Sequence, residues 1–130
     1  MLVPDGRVVG IGVDACAVDR MRTILDRRPR LIERVFTEFE QSYARGFVNP
    51  AARFAARFAA KEAALKALGA GLGEVMLRDL EVARDDDSGA PAIVLHATAA
   101  ARAAELGVTR VLVSMSHEDV VAVAFAVAVR

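Results

Sequence analysis

The stretch "RFAAKEAALKALG", Arg57 to Gly69, decides how this 130-residue chain folds, and it contains both of the chain's lysines. At about 100° per residue, Phe54, Phe58, Leu65 and Leu68 align as a bulky apolar stripe, while Ala56, Ala59, Ala60, Ala63 and Ala67 form a smooth opposite face. The pattern predicts a helix buried on two sides. Arg53 and Arg57 fall on one seam, Glu62 and Lys66 on the other, and Lys61 in the middle of the bulky stripe. Every other cation among the 17 is arginine, so lysine at 61 and 66 asks for a reason. An i,i+4 pair of Glu62 with Lys66 would contribute a few tenths of a kcal/mol, and arginine would serve it equally. Lysine differs in offering a compact point charge and a transferable proton.

Working outward, "NP" supplies an N-cap at Asn49 and a first helical residue at Pro50, and "GAGLG" closes the helix and turns the chain. Upstream, "RVVGIGVDACAV" reads as a buried strand that stops at Asp14, placing that acid at a strand end. Asp19 to Phe36 reads as two helical pieces divided at Pro29. "TEFEQSYARGFV" reads as a polar connection with some helical content. Downstream, "LRDLEVAR" and "APAIVLH" form a hairpin across "DDDSG". "ATAAARAAEL" is a helix closed by Gly107, and "RVLVSMSH" and "VVAVAFAVAV" are two further strands. The last run spans about ten residues where a membrane helix needs about twenty.

Composition sets the outer limits. Length and the absence of any linker or repeat predict one domain over residues 1–130. With much alanine and only 5% aromatics, the core should rest on close helix approach and β-branched strands. Net charge is zero, so nothing draws the chain generally to nucleic acid or an anionic membrane, and recognition by charge must be local. A lone Cys16 and a start without a signal-peptide pattern predict a cytoplasmic protein.

Several residue sets could carry chemistry. "GIGVDA" formally matches a dinucleotide fingerprint, but no phosphate-binding helix or second acid-ended strand follows at the required spacing. Asp14 alone reads as a cap, His117 as a structural hydrogen-bonding residue, and Cys16 as a small buried hydrophobe. Histidine and cysteine are too few for an ordinary zinc site. Asp14 and Glu62 remain. Two hard oxygen ligands suit Mg²⁺ completed by water and a substrate phosphate, and Lys66, one turn from Glu62, points to phosphoryl-type chemistry.

In this order and spacing, "VVGIGVDACAVDRM", "FTEFE", "ARFAARFAAKEAALKALG", "DLEV" and "VSMSHE" resemble the holo-(acyl-carrier-protein) synthase family, the small 4′-phosphopantetheinyl transferases. The resemblance implies an α+β fold, an antiparallel sheet packed on a long helix, in a homotrimer with sites between subunits. It implies Mg²⁺-dependent transfer of phosphopantetheine from coenzyme A to a serine of acyl carrier protein, of fatty-acid or polyketide synthesis, releasing adenosine 3′,5′-bisphosphate. On the matching positions, Asp14 and Glu62 hold the metal, and Lys66 faces the pyrophosphate and protonates the departing phosphate. Arg57 and His117 bind the coenzyme. Lys61 either neutralises charge around the coenzyme or snorkels from the apolar stripe. The serine's base is open between Glu62, Asp14 and a metal-polarised water. Two positions depart from the family pattern: "GAGLG" lacks a threonine between its glycines, and Ala17 stands where a polar side chain is common.

Two other readings share these residues: a non-catalytic trimeric module that binds coenzyme A or a partner chain, and a Mg²⁺-dependent nucleotide hydrolase. The presence of both acids and Lys66 favours catalysis. From Arg20 to Arg34 six arginines face only Asp26 and Glu33. The resemblance places carrier docking on this first helix, with Arg20 and Arg27 as contacts for an acidic carrier. The acids of "ARDDDSGAP" argue against docking at that edge.

Overall fold

In the computed structural model residues 7–71, 73–85 and 87–130 are described. Residues 1–6, part of the stretch read for a targeting signal, and Leu72 and Asp86 lie outside them. In chain order the elements are β1 (Val8–Ala17), α1 (Val18–Arg27), α2 (Pro29–Val35), α3 (Glu38–Arg45), α4 (Pro50–Ala67), a 3-10 turn (Leu77–Asp79), β2 (Leu80–Arg84), β3 (Pro91–Leu95), α5 (Ala97–Leu106), β4 (Arg110–His117) and β5 (Val121–Val129). The strands form two antiparallel sheets, a three-stranded one in the order β1-β5-β4 and the β2-β3 hairpin. The fold class is α+β, with α4 packed across the larger sheet and also against α1, α3 and β2.

The two-sided burial expected of α4 is present, from Phe54 and Leu65 on one side to Ala59, Ala60 and Ala63 on the other. Its alanine face brings the helix so near the sheet that only the smallest residues fit opposite. A Cβ at Gly10 would overlap the carbonyl oxygen of Ala67, and one at Gly12 that of Ala63. The glycines of "GIG" therefore serve close strand–helix contact. The same proximity decides which way β5 faces. Ala122, Ala124, Ala126 and Ala128 point into the core, while Val121, Val123 and Phe125 point out. A core lined by β-branched side chains is thus realised on β2 and β4, at Val82, Val111 and Val113, and corrected on β5.

Three local readings also change. β1 runs on through Ala17, so Asp14 lies within the strand opposite Ala124 and not at its end; the small residues after it continue the pairing with Val121–Val123. Asn49 occupies the N-cap position of α4 without capping through its side chain, because its Oδ1 accepts a hydrogen bond from Arg22 Nη2 at 3.4 Å. The supposed polar connection is the helix α3, opened by a capping box between Thr37 and Glu40. "TEFE" carries that signature in the sequence.

Candidate active site

β1 and α4 converge on one cluster. Because Gly12 lets β1 lie against Ala63, Asp14 comes beside the seam of α4 that carries Glu62 and Lys66. Lys66 Nζ donates to the Val13 carbonyl at 2.9 Å and stands 3.4 Å from Asp14 Oδ1. The i,i+4 pairing of Lys66 with Glu62 is replaced by this cross-element contact. Glu62 is half-buried, and its carboxyl is pushed up from the ordinary value by burial and by the neighbouring Asp14 charge, against the opposing effect of Lys66. A divalent cation between the two carboxylates would relieve that repulsion, so the donor set fits Mg²⁺. Among the described residues no group of three or more His, Cys, Asp or Glu side chains is placed to hold a metal ion. A cation held there would take two oxygen ligands from the pair and the others from water and phosphate.

Arg57 and His117 meet elsewhere, in a cavity of about 400 Å³ lined by Tyr43, Arg53, Arg57, Arg84, Met115 and His117 among others. Arg57 is 3% exposed, and its buried Nε has no hydrogen-bond partner among the described residues. Among those residues none of the three arginines forms an ion pair. A buried cation without a direct ion pair is costly unless an anion arrives to meet it, so the cavity has the chemistry to suit a phosphate. Sequence reasoning named two of its residues and missed Tyr43, Arg53 and Arg84. The i,i+4 spacing of Arg53 and Arg57 was the available signal. A larger groove of about 660 Å³ between β3 and β4 contains none of the candidate residues.

Lys61 is in neither place. Its side chain is wholly buried with that of Glu40, 2.8 Å from Oε1, and Nζ donates to the carbonyls of Leu80 at 2.9 Å and Leu77 at 3.0 Å. Three ammonium hydrogens thus meet three acceptors, which a planar guanidinium cannot reproduce. The expected role in binding the coenzyme is corrected to a structural one, since no solvent reaches the group and its three donors are taken up within the fold. Snorkelling is excluded for the same reason. Arg20 and Arg27 lie seven residues apart on α1, both exposed. Arg22, between them, is tied to Asp19 and Asn49.

An alanine-packed helix crossing a three-stranded antiparallel sheet, with a carboxylate pair and a lysine where β1 meets it, is the arrangement of a small transferase of phosphate-bearing groups. The family model described as the 4′-phosphopantetheinyl transferase superfamily matches residues 10–126, and the chain belongs to that family. It is 47% identical over 125 residues to the holo-(acyl-carrier-protein) synthase of Streptomyces avermitilis, covering 93% of this chain and 97% of that protein. Among solved structures it is similar to the acyl carrier protein synthase of Plasmodium yoelii with ADP bound, at a TM-score of 0.85 and 32% identity over 95% of this chain and 96% of that one. It is also similar to a holo-(acyl-carrier-protein) synthase of Bacillus anthracis in complex with CoA (3′,5′-ADP), at a TM-score of 0.76 and 36% identity over 94% and 96%.

Proposed function

We propose that the chain, acting as one domain in the cytoplasm, transfers the 4′-phosphopantetheine group of coenzyme A to a serine hydroxyl of an apo acyl carrier protein. In this reaction the serine hydroxyl gives its proton to Glu62, Asp14 or a water, its oxygen forms a bond to the β-phosphorus, the bond from that phosphorus to the bridging oxygen breaks, and adenosine 3′,5′-bisphosphate leaves. The observation that carries the reading is the contact of Lys66 with Asp14 beside a Glu62 whose carboxyl is raised, within a chain matched almost end to end by the family. Asp14 and Glu62 are the residues that would hold Mg²⁺. When bound, the metal supplies charge neutralisation at the pyrophosphate. Lys66 is half-exposed, so its ammonium can swing from Val13 to hold the departing phosphate and give it a proton. Arg57 and His117 bind the coenzyme from their cavity. Arg20 and Arg27 steer the acidic carrier.

The reading includes a homotrimer. Supporting it is the outward face of the larger sheet, where Ile11, Val13, Val123 and Phe125 are exposed side by side, an apolar patch that a partner subunit would cover.

The test is mass spectrometry of an apo acyl carrier protein incubated with the protein, coenzyme A and Mg²⁺. Addition of phosphopantetheine is expected, together with its loss in Asp14→Ala and Glu62→Ala at unchanged helical circular dichroism. An unmodified carrier, or full activity of Asp14→Ala at saturating Mg²⁺, overturns the reading.

A further inference from the structure

The α3–α4 contact holds a feature that the transfer reaction does not by itself require. Along α3 the rings of Phe39 and Tyr43 stack with centroids 6.4 Å apart, and Tyr43 meets Phe47 edge to face at 5.1 Å. Cations interleave with these rings. Arg57 lies over Tyr43 at 4.2 Å and Arg53 over Phe47 at 3.8 Å. From the opposite wall of the cavity Arg84 Nη1 donates to the Tyr43 hydroxyl at 2.7 Å, while its Nε donates to the Gly89 carbonyl at 3.1 Å. Gly89 has φ of 71°, and a Cβ there would lie 2.9 Å from Arg84 Nη2. The turn of the β2-β3 hairpin is therefore shaped to let Arg84 fold across it toward Tyr43.

We propose that Tyr43 is the positioning residue of the coenzyme pocket, its ring seating Arg57 and its hydroxyl anchoring Arg84 so that both guanidinium groups present free N–H donors to one phosphate. The inference rests on the transferase reading. Arg57 and Lys66 are nine residues apart on α4, about half a turn around the helix, so within one chain the phosphate at Arg57 is not the one at Lys66. The 3′-phosphate is the only phosphate of coenzyme A outside the pyrophosphate. Tyr43 thus acts on binding of a group remote from the bond that breaks, and contributes equally to ground and transition states.

Tyr43→Phe keeps the ring and removes the hydroxyl that anchors Arg84. Steady-state transfer should show KM for coenzyme A raised about tenfold, the scale of one charge-assisted hydrogen bond, with kcat unchanged. KM for dephospho-coenzyme A, which lacks the 3′-phosphate, should stay as in the wild type. Arg84→Gln removes the anchored guanidinium itself and should raise KM for coenzyme A at least as far, and the double variant should be no worse than Arg84→Gln alone, since the Tyr43 hydroxyl acts through Arg84. Wild-type KM for coenzyme A in Tyr43→Phe overturns the inference, as does an equal rise with both substrates or full additivity with Arg84→Gln. Absence of transfer by the wild type itself overturns the functional reading and the inference with it, and the two failures are told apart by that control.

Discussion

Lys61 Nζ lies 2.8 Å from Glu40 Oε1, and neither side chain is reached by solvent. The carboxylate also accepts from the backbone N–H of Thr37 at 2.8 Å and of Val82 at 2.9 Å. One ion pair thereby ties α3, the start of β2 and α4 together. Lys61→Met removes the cation and leaves Glu40 charged in the core, which should cost about 3–5 kcal/mol. Urea unfolding measures it, and the double variant Glu40→Leu/Lys61→Met should lose less than Lys61→Met alone. Equal losses would mean that the buried charge is not the source of the cost.

Gly12→Ala should be among the most damaging single changes in the chain. Its methyl group meets the backbone of α4 at Ala63, which cannot move aside as a flexible side chain could. Relief requires β1 to lift off the helix, carrying Asp14 away from Glu62. Stability should fall by about 1–3 kcal/mol or more, and carrier modification should fall further than stability alone explains. A thermal melt and a transfer assay below the melting temperature separate the two effects.

Lys66→Arg should not restore transfer. Arginine keeps the charge but does not release a proton near neutral pH, and its fork does not fit the single contact to the Val13 carbonyl. Loss of a proton donor predicts a rate about 10²–10⁴-fold lower, with coenzyme A affinity retained in equilibrium binding. Equal turnover of wild type and Lys66→Arg would remove Lys66 from the chemistry.

Charge reversal at Arg20 or Arg27 should weaken use of the carrier without touching the coenzyme. Both side chains are exposed, and among the described residues neither forms an ion pair. Steering by charge acts on the encounter rate and fades as salt rises. Arg20→Glu and Arg27→Glu should raise KM for the carrier several-fold at low salt and flatten its salt dependence, with coenzyme A affinity unchanged. Wild-type carrier kinetics at low salt would leave these arginines as a solvated face.

Stability toward acid should depend on Glu81. Burial pushes its carboxyl up, but the Thr37 hydroxyl at 2.6 Å and His96 at 3.0 Å outweigh that and hold it below the ordinary value of 4.5. A carboxylate depressed in the folded state contributes stability above its unfolded value and loses it as pH falls through the folded one. Glu81→Gln should therefore cost about 1–2 kcal/mol near neutrality. In urea titrations the gap from wild type should close only below pH 4.5. A gap constant down to pH 3 would assign the effect to packing.

Much of the architecture was legible in the chain because its signals are local. Pro29 and Pro50 divide and start helices wherever they occur, alternation marks β5, and the 3.6-residue period of α4 declares burial on both sides. Asp14, Glu62 and Lys66 could be named as candidates from residue type and spacing for the same reason, since two of them share a helix seam and the third lies on a strand that two glycines allow against it. Tertiary structure alone decided the rest. Whether the alanine or the valine face of β5 turns inward depends on how closely α4 approaches, which no strand encodes by itself. Lys61 looked available for ligand until Glu40, on a helix read as a connection, took its charge, and Arg57 gained its setting from Tyr43 and Arg84, distant in sequence. Side chains of this kind acquire their roles from partners brought near only by folding, because a charge is defined by its burial and its neighbours, and neither is a property of the residue that carries it.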